Sequence, residues 1–192
     1  MTPSEINSLL ESILIQYQKS FAGKTFSEEL SEIDDLMSIF SLTQEVKMGN
    51  RQYWGRELGM CWQKIVTELC RAYCTNFKDA IREGGDELCD LVVENDAIDT
   101  KYRIGSGDSG TLKKFKSYGK NLSDRGLNPV VLIVREDNLQ AAITACRTGG
   151  WRVISGKNSY EYIDRLTGFD LHSWLVERKG KYSANSQGLS SI

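Results

Sequence analysis

The sequence predicts an α/β fold with a mixed central sheet flanked by helices and a helical N-terminal part. Two observations predict this class. Apolar residues recur at helical spacing through most of residues 4–77, whereas from residue 88 onward short strand-like runs alternate with helical segments. At 192 residues the chain is long enough to bury a core without disulfides or metals as staples.

The N-terminal half is predicted to be helical. Residues 4–21 and 27–40 form two amphipathic helices, and a longer helix runs from about 53 to 77. Gly55 and Gly59 lie inside this third helix, where each glycine costs ~1 kcal/mol relative to alanine. We therefore expect their small size to permit the close approach of another element.

The second half is predicted to alternate strands and helices. The order is a hairpin of strands 88–93 and 97–104, a basic helix 111–122, a buried strand 130–135, a helix 138–148, a strand 151–155 and a last helix 159–166. These elements lead us to expect a single domain at 1–180, with a helical extension at 1–48 and a core at 53–170. The segment 181–192 has almost nothing to bury and is expected to be disordered.

The composition excludes several classes of site. The five cysteines form no C-x-x-C pair and His172 is the single histidine, so no ordinary zinc site can be assembled. A single histidine also excludes nuclease mechanisms that need two histidines. We expect reduced thiols and a structural role for His172. The net charge of −2 argues against binding nucleic acid by bulk positive charge alone, although residues 113–125 carry five basic side chains and one acidic side chain.

The sequence also argues against contact with a membrane. No apolar run approaches the ~18 residues that a membrane span needs. The N-terminus has no basic region before its apolar stretch, which argues against a secretory signal. A cytoplasmic location is therefore expected.

The run "GSGDSG" at 105–110 matches the G-x-G-x-x-G fingerprint of dinucleotide-binding folds. In those folds the preceding strand is apolar because it is buried on both faces. Here that strand carries Asp99, Lys101 and Arg103. We therefore expect no nucleotide cofactor.

The hairpin indicates a different kind of site. Residues two apart in a strand share a face, so Asp99, Lys101 and Arg103 line one side, a pattern that an ordinary half-exposed sheet also shows. Folding the chain about residues 94–96 sets Asp90 opposite or nearly opposite Asp99. Directly paired side chains lie ~5 Å apart at Cβ, where like charges repel. A hairpin shaped only by stability would avoid such a pair.

A divalent cation between the two carboxylates explains why they are paired. Hard oxygen ligands close together are what Mg²⁺ prefers. Lys101, on the same face as Asp99, would lie beside a metal-bound water. The arrangement suits phosphodiester hydrolysis, in which the metal lowers the pKa of water and neutralises the developing charge while the lysine positions or helps to activate the nucleophile.

The pattern "CD-(8)-DTK" resembles the PD-(D/E)xK signature of a nuclease superfamily, with Cys89 where the proline usually stands. The resemblance implies that Asp90, Asp99 and Lys101 are catalytic, and that Asp90, Asp99 and Thr100 bind Mg²⁺.

The order of the elements between about 53 and 135 is also similar to the superfamily core, which implies a restriction-endonuclease-like core. In such enzymes a helix before the hairpin often supplies a glutamate in a G-x-x-x-E pattern. Here Gly59 is followed by Gln63, a known variant, with Glu57 and Glu68 as alternatives.

The residues after the DTK strand are the predicted contacts to DNA. They are Ser106, Ser109, Thr111, Lys113, Lys114 and Lys116. The glycine-rich loop would bring N–H and hydroxyl groups to phosphate, or it is a plain turn in which Ser109 or Thr111 caps the next helix. The lysines would form a positive wall along the DNA, or they are a solvated helix face.

Small stand-alone chains of this kind most resemble type II restriction endonucleases. The resemblance implies a Mg²⁺-dependent, sequence-specific endonuclease of double-stranded DNA that acts as a homodimer in a prokaryotic cytoplasm. Residues 1–48 would then form the dimer interface or clamp DNA. Two alternatives stay open: a DNA repair or recombination nuclease of the same fold, and a non-catalytic DNA-binding module.

Overall fold

The computed structural model describes residues 2–21, 33–105 and 109–184. In chain order the elements are α1 (Pro3–Phe21), α2 (Asp35–Ile39), α3 (Gln44–Met48), α4 (Arg51–Tyr73), β1 (Phe77–Glu83), β2 (Asp86–Val93), β3 (Asp96–Lys101), α5 (Ser109–Asp124), β4 (Asn128–Ile133), α6 (Gln140–Thr148), β5 (Arg152–Ser155), α7 (Lys157–Thr167) and α8 (Leu171–Val176). They divide into two compact units, Met1–Ile65 with Asp170–Ile192, and Val66–Phe169.

The first unit is helical, as predicted, but its short helices differ from the prediction. Of the predicted helix 27–40, residues 27–32 lie outside the described part of the chain, and the rest contains only the short helix α2. Asp34 caps it by accepting a hydrogen bond from Met37 N at 3.0 Å. The helix α8 was not predicted; Asp170 caps it in the same way, at 2.9 Å from Ser173 N.

The chain after α8 runs beside the loop that follows α2. Tyr182 N donates to Ile39 O at 3.2 Å, and Ala184 N donates to Phe40 O at 2.8 Å. The described start of the segment 181–192 is therefore held by backbone hydrogen bonds, where disorder was expected. The rest of that segment lies outside the described residues.

The second unit is built on a five-stranded mixed sheet with the strand order β1-β2-β3-β4-β5. The first three strands are antiparallel neighbours, and β3, β4 and β5 run parallel. The predicted α/β class with a mixed sheet is thereby confirmed.

One strand of this sheet was missed. The predicted helix ends at Tyr73 rather than Phe77, and Phe77 begins β1. As an edge strand, β1 exposes charged side chains such as Lys78 and Asp79, so its sequence lacks the apolar alternation that marks a strand.

Helices α5 and α6 pack on the sheet face that carries Val92, Ala97 and Val131. The turn after α6 approaches α5 closely, and Trp151 Nε1 donates to Phe115 O at 2.7 Å. A Cβ added to Gly119 would overlap Gly149 O and the Trp151 indole.

The small size of Gly55, inside α4, was expected to permit the close approach of another element, and this prediction is wrong. A Cβ built on Gly55 meets no atom of the described residues within 4 Å, so none of the described elements approaches it closely. Among the described residues, no helix is both long and apolar enough to cross a membrane.

Candidate active site

The β2–β3 hairpin positions the two predicted carboxylates. Val93 pairs with Asp96 across the turn, and Leu91 pairs with Ile98. Continuing this register by one residue brings Asp90 level with Asp99. The tight turn is what fixes this register, and Glu94 within it has a φ of 55°, which is uncommon for a residue with a side chain.

Asp90 is held by the strand opposite. Its Oδ2 accepts hydrogen bonds from the backbone N and from the hydroxyl Oγ1 of Thr100, both at 2.6 Å. Burial and the nearby charge of Asp99 raise the pKa of Asp90 to about 7, against the lowering effect of Lys101 and Thr100. The site therefore disfavours a second negative charge in the absence of a cation.

Asp99 and Lys101 form an ion pair along β3. Lys101 Nζ lies 2.7 Å from Asp99 Oδ1 and 2.6 Å from Oδ2, and it donates to the carbonyl oxygen of Thr100 at 3.1 Å. Burial lowers the pKa of Lys101, but the charges of Asp99 and Asp90 outweigh it and leave the pKa above its ordinary value. Lys101 is therefore an ammonium donor, with 37 % of its side chain exposed.

The oxygen atoms of this site suit Mg²⁺. Asp90 and Asp99 supply two carboxylates, and Lys101 Nζ contacts both Asp99 and the carbonyl of Thr100. Among the described residues, no group of three or more His, Cys, Asp and Glu side chains is arranged to hold a metal. Two carboxylates are nevertheless the usual protein contribution to Mg²⁺, which keeps several waters and also binds substrate phosphates.

Two buried thiols border the carboxylates without adding a nucleophile. Burial, with the charge of Asp99 as a smaller cause, raises the pKa of Cys89 to about 11 and that of Cys146 to about 12. Both cysteines are therefore neutral thiols near pH 7, which is the packing role expected from the sequence.

The predicted supporting residues lie along α4. Glu57 and Gln63 are on the part of this helix that belongs to the first unit, and Arg56 donates to Glu57 Oε1 at 3.1 Å. Glu68 forms an ion pair with Arg71. Their contribution to the metal site stays a prediction.

The predicted DNA contacts are distributed over α5. Ser106 lies outside the described residues, and α5 begins at Ser109, so neither Ser109 nor Thr111 occupies the capping position before the helix. Lys114 donates to Asp86 at 2.8 Å. Lys113 and Lys116 are exposed.

A further basic cluster lies just beyond β3 and was not predicted as part of the site. Arg103 and Arg135 both donate to the carboxylate of Asp137. The strand predicted at 97–104 placed Arg103 on the face of Asp99 and Lys101, but β3 ends at Lys101 and the chain bends at Tyr102. The contact with Asp137, 34 residues further along the chain, had no signal in the sequence.

Comparisons with known proteins found no match for this chain. No family model matches it, and neither the curated proteins nor the solved structures include a significant match. A functional proposal must therefore rest on the geometry of the chain's own residues.

Proposed function

We propose that this chain is a Mg²⁺-dependent endonuclease that hydrolyses phosphodiester bonds in double-stranded DNA. The observation that carries the proposal is the nearness of Asp90 and Asp99, whose charges interact just beyond the last pair of a tight hairpin, Leu91 with Ile98. The Lys101 ammonium lies 2.6 Å from Asp99 Oδ2. A structural hairpin gains nothing from placing two carboxylates together in a partly buried position. A cation site does, since a bound cation turns their repulsion into attraction.

Asp90, Asp99 and the carbonyl of Thr100 are the groups that would hold the ion. When bound, Mg²⁺ supplies a water of lowered pKa and positive charge against the phosphate. The two hydrogen bonds from Thr100 orient Asp90 before any ligand arrives. This fixed orientation lowers the entropy cost of assembling the site.

Lys101 would act on the substrate as a donor. Its Nζ contacts Asp99 and the Thr100 carbonyl, two of the three groups that would hold the ion, so the ammonium and the ion would share these oxygens. An ammonium group there can hydrogen-bond to the phosphate and to the attacking oxygen, and it stabilises negative charge that grows in the transition state.

The order of elements supports a restriction-endonuclease-like core. A helix (α4) precedes the hairpin of β2 and β3, a basic helix (α5) follows, and β4 then pairs parallel to β3. This is the order that the sequence resemblance leads one to expect. We further propose the type II restriction class, in which two copies would cut one DNA strand each.

The test is cleavage of plasmid and phage DNA by the purified chain, with Mg²⁺ or with EDTA. Asp99→Ala removes a proposed ligand. Asp79→Ala removes a carboxylate on β1 whose side chain is 79 % exposed, so it serves as the matched control. We expect Mg²⁺-dependent cleavage by the wild type and by Asp79→Ala, and none by Asp99→Ala.

The products distinguish the classes of function. Discrete fragments from linear DNA indicate a restriction enzyme, whereas cleavage confined to branched or damaged DNA indicates a repair or recombination nuclease. DNA binding without cleavage under any of these conditions would overturn the catalytic proposal in favour of a binding module.

A further inference from the structure

The pairing of β3 with β4 continues past the end of β3. Lys101 pairs with Ile133, and beyond them Val134 N donates to Lys101 O and Arg135 N donates to Tyr102 O, both at 3.1 Å. The chain after Lys101 therefore stays beside the segment that follows β4 for two more residues, although it bends at Tyr102. Arg103 follows Lys101 by two residues, so the Cα atoms of these two residues are at most about 7 Å apart.

Arg103 is held in place by a carboxylate that a second arginine shares. Arg103 Nε donates to the Asp137 carbonyl at 2.8 Å and to Asp137 Oδ2 at 3.1 Å, and Arg135 Nε donates to Asp137 Oδ1 at 2.6 Å. The Arg135 side chain is only 3 % exposed, so it needs this carboxylate as its partner. The negative charge of Asp137 therefore compensates the buried charge of Arg135 more than the exposed charge of Arg103.

Counted over these three described side chains, the cluster has a net positive charge. Arg103 and Arg135 together carry two positive charges against the one negative charge of Asp137. With 38 % of its side chain exposed, Arg103 presents this charge to solvent. A Cβ built on Gly105 would lie 2.6 Å from Arg103 Nη1, so glycine at this position leaves room for the guanidinium.

We propose that Arg103 binds a phosphate of the DNA backbone next to the phosphate at Lys101. This inference rests on the proposed nuclease function and adds a substrate-binding residue to it. A guanidinium presents N–H groups in a planar fork that matches phosphate oxygens, and its charge persists at every working pH. Lys101 and Arg103 would then contact neighbouring phosphates of one DNA strand.

The test measures binding without hydrolysis. A fluorescent DNA duplex is titrated with the chain in EDTA at several salt concentrations, using wild type, Arg103→Gln and Arg103→Lys. The control is Arg152→Gln. Arg152 also pairs with a carboxylate, Asp96 Oδ2 at 2.8 Å, but it lies where the parallel strands begin, at the opposite end of the strands from Arg103.

We expect Arg103→Gln to raise Kd about tenfold, as for the loss of a charge-assisted hydrogen bond. The slope of log K against log salt should become shallower by about 0.9, the effect of one lost phosphate contact. Arg103→Lys should keep the slope, because it keeps the charge, and Arg152→Gln should match the wild type.

A second measurement needs no variant. Arginine-selective modification of the wild type by phenylglyoxal, read by mass spectrometry, should label Arg103 in the free chain and spare it when the duplex is bound. Suppose that the wild type cleaves and binds DNA. An unchanged salt slope for Arg103→Gln, or equal labelling of Arg103 in the free and bound chain, would then overturn the role of Arg103 alone. A wild type that neither cleaves nor binds DNA would overturn the nuclease proposal and this inference together.

Discussion

Thr100 binds the carboxylate of Asp90 twice, through its backbone N and through its hydroxyl, each 2.6 Å from the same oxygen Oδ2. This contact joins the two strands of the hairpin at the residue between Asp99 and Lys101. Because both hydrogen bonds favour the ionised carboxylate, Thr100 opposes the effects of burial and of Asp99 on the pKa of Asp90.

Thr100→Val should shift the pH dependence of cleavage to higher pH. The variant removes one hydrogen bond to Asp90, worth about 1 kcal/mol, so the pKa of Asp90 rises by about 0.5–1 unit. Since a metal ligand must be ionised, the acid limb of the profile of kcat/KM against pH should shift to higher pH by a similar amount at subsaturating Mg²⁺. Thr100→Ser keeps the hydroxyl and should keep the wild-type profile. Superimposable profiles for Thr100→Val and Thr100→Ser would contradict this role.

Asp90→Asn should stabilise the chain at pH 8 in EDTA, although it abolishes cleavage. The folded-state pKa of Asp90, about 7, lies above the ordinary value of 3.8, so the folded chain binds the extra proton between these values. The free energy of unfolding therefore falls as the pH rises through this window. Asparagine carries no charge and keeps an acceptor for Thr100.

Urea denaturation at pH 5 and pH 8 checks this prediction. The advantage of Asp90→Asn over wild type should grow with pH and reach on the order of 1–3 kcal/mol at pH 8. Asp79→Asn, at an exposed position, should show no such growth. An Asp90→Asn chain that is less stable than wild type at pH 8 would mean that the two carboxylates do not repel as inferred.

Lys101→Met should reduce kcat by about 10²–10⁴-fold, because it removes the donor beside the reacting phosphate while keeping a side chain of similar length. It should also lower the free energy of unfolding at pH 8, since Asp90 and Asp99 lose a compensating charge. Lys78→Met, at an exposed lysine of β1, is the control for both measurements. Cleavage by Lys101→Met at the wild-type rate would remove Lys101 from the catalytic set.

Gly119→Ala should destabilise the second unit by about 1–3 kcal/mol or more, as for other overpacked sites. The added methyl group would overlap Gly149 O and the Trp151 indole, and the Trp151 hydrogen bond to Phe115 O leaves little room to move. Gly85→Ala, where a Cβ meets nothing within 4 Å, should be close to neutral. Thermal unfolding followed by circular dichroism distinguishes the two, and equal Tm values would contradict the close approach.

Most of the second-unit elements were predictable because their signals are local. The buried strand β4 is rich in β-branched residues, and the helix α7 has apolar residues at helical spacing. Each pattern can be recognised within a few residues of sequence. The edge strand β1 gives no such signal. Its identity as a strand comes from pairing with β2, and its outward side chains are polar because they face solvent.

The sequence by itself determined the relation among Asp90, Asp99 and Lys101. These residues lie within one hairpin, and the two-residue period of a strand with a tight turn fixes which side chains share a face. Such short-range geometry depends little on the rest of the chain, so it can be read before any fold is known.

Only the tertiary structure decided which distant groups meet. The contact of Arg103 with Asp137 and the hydrogen bonds of residues 182 and 184 to the loop after α2 join segments far apart in sequence. The rise in the pKa of Asp90 likewise depends on burial by packed neighbours as well as on Asp99. Contacts and burial of this kind have no periodic signature along the chain, because they arise when separate elements pack together.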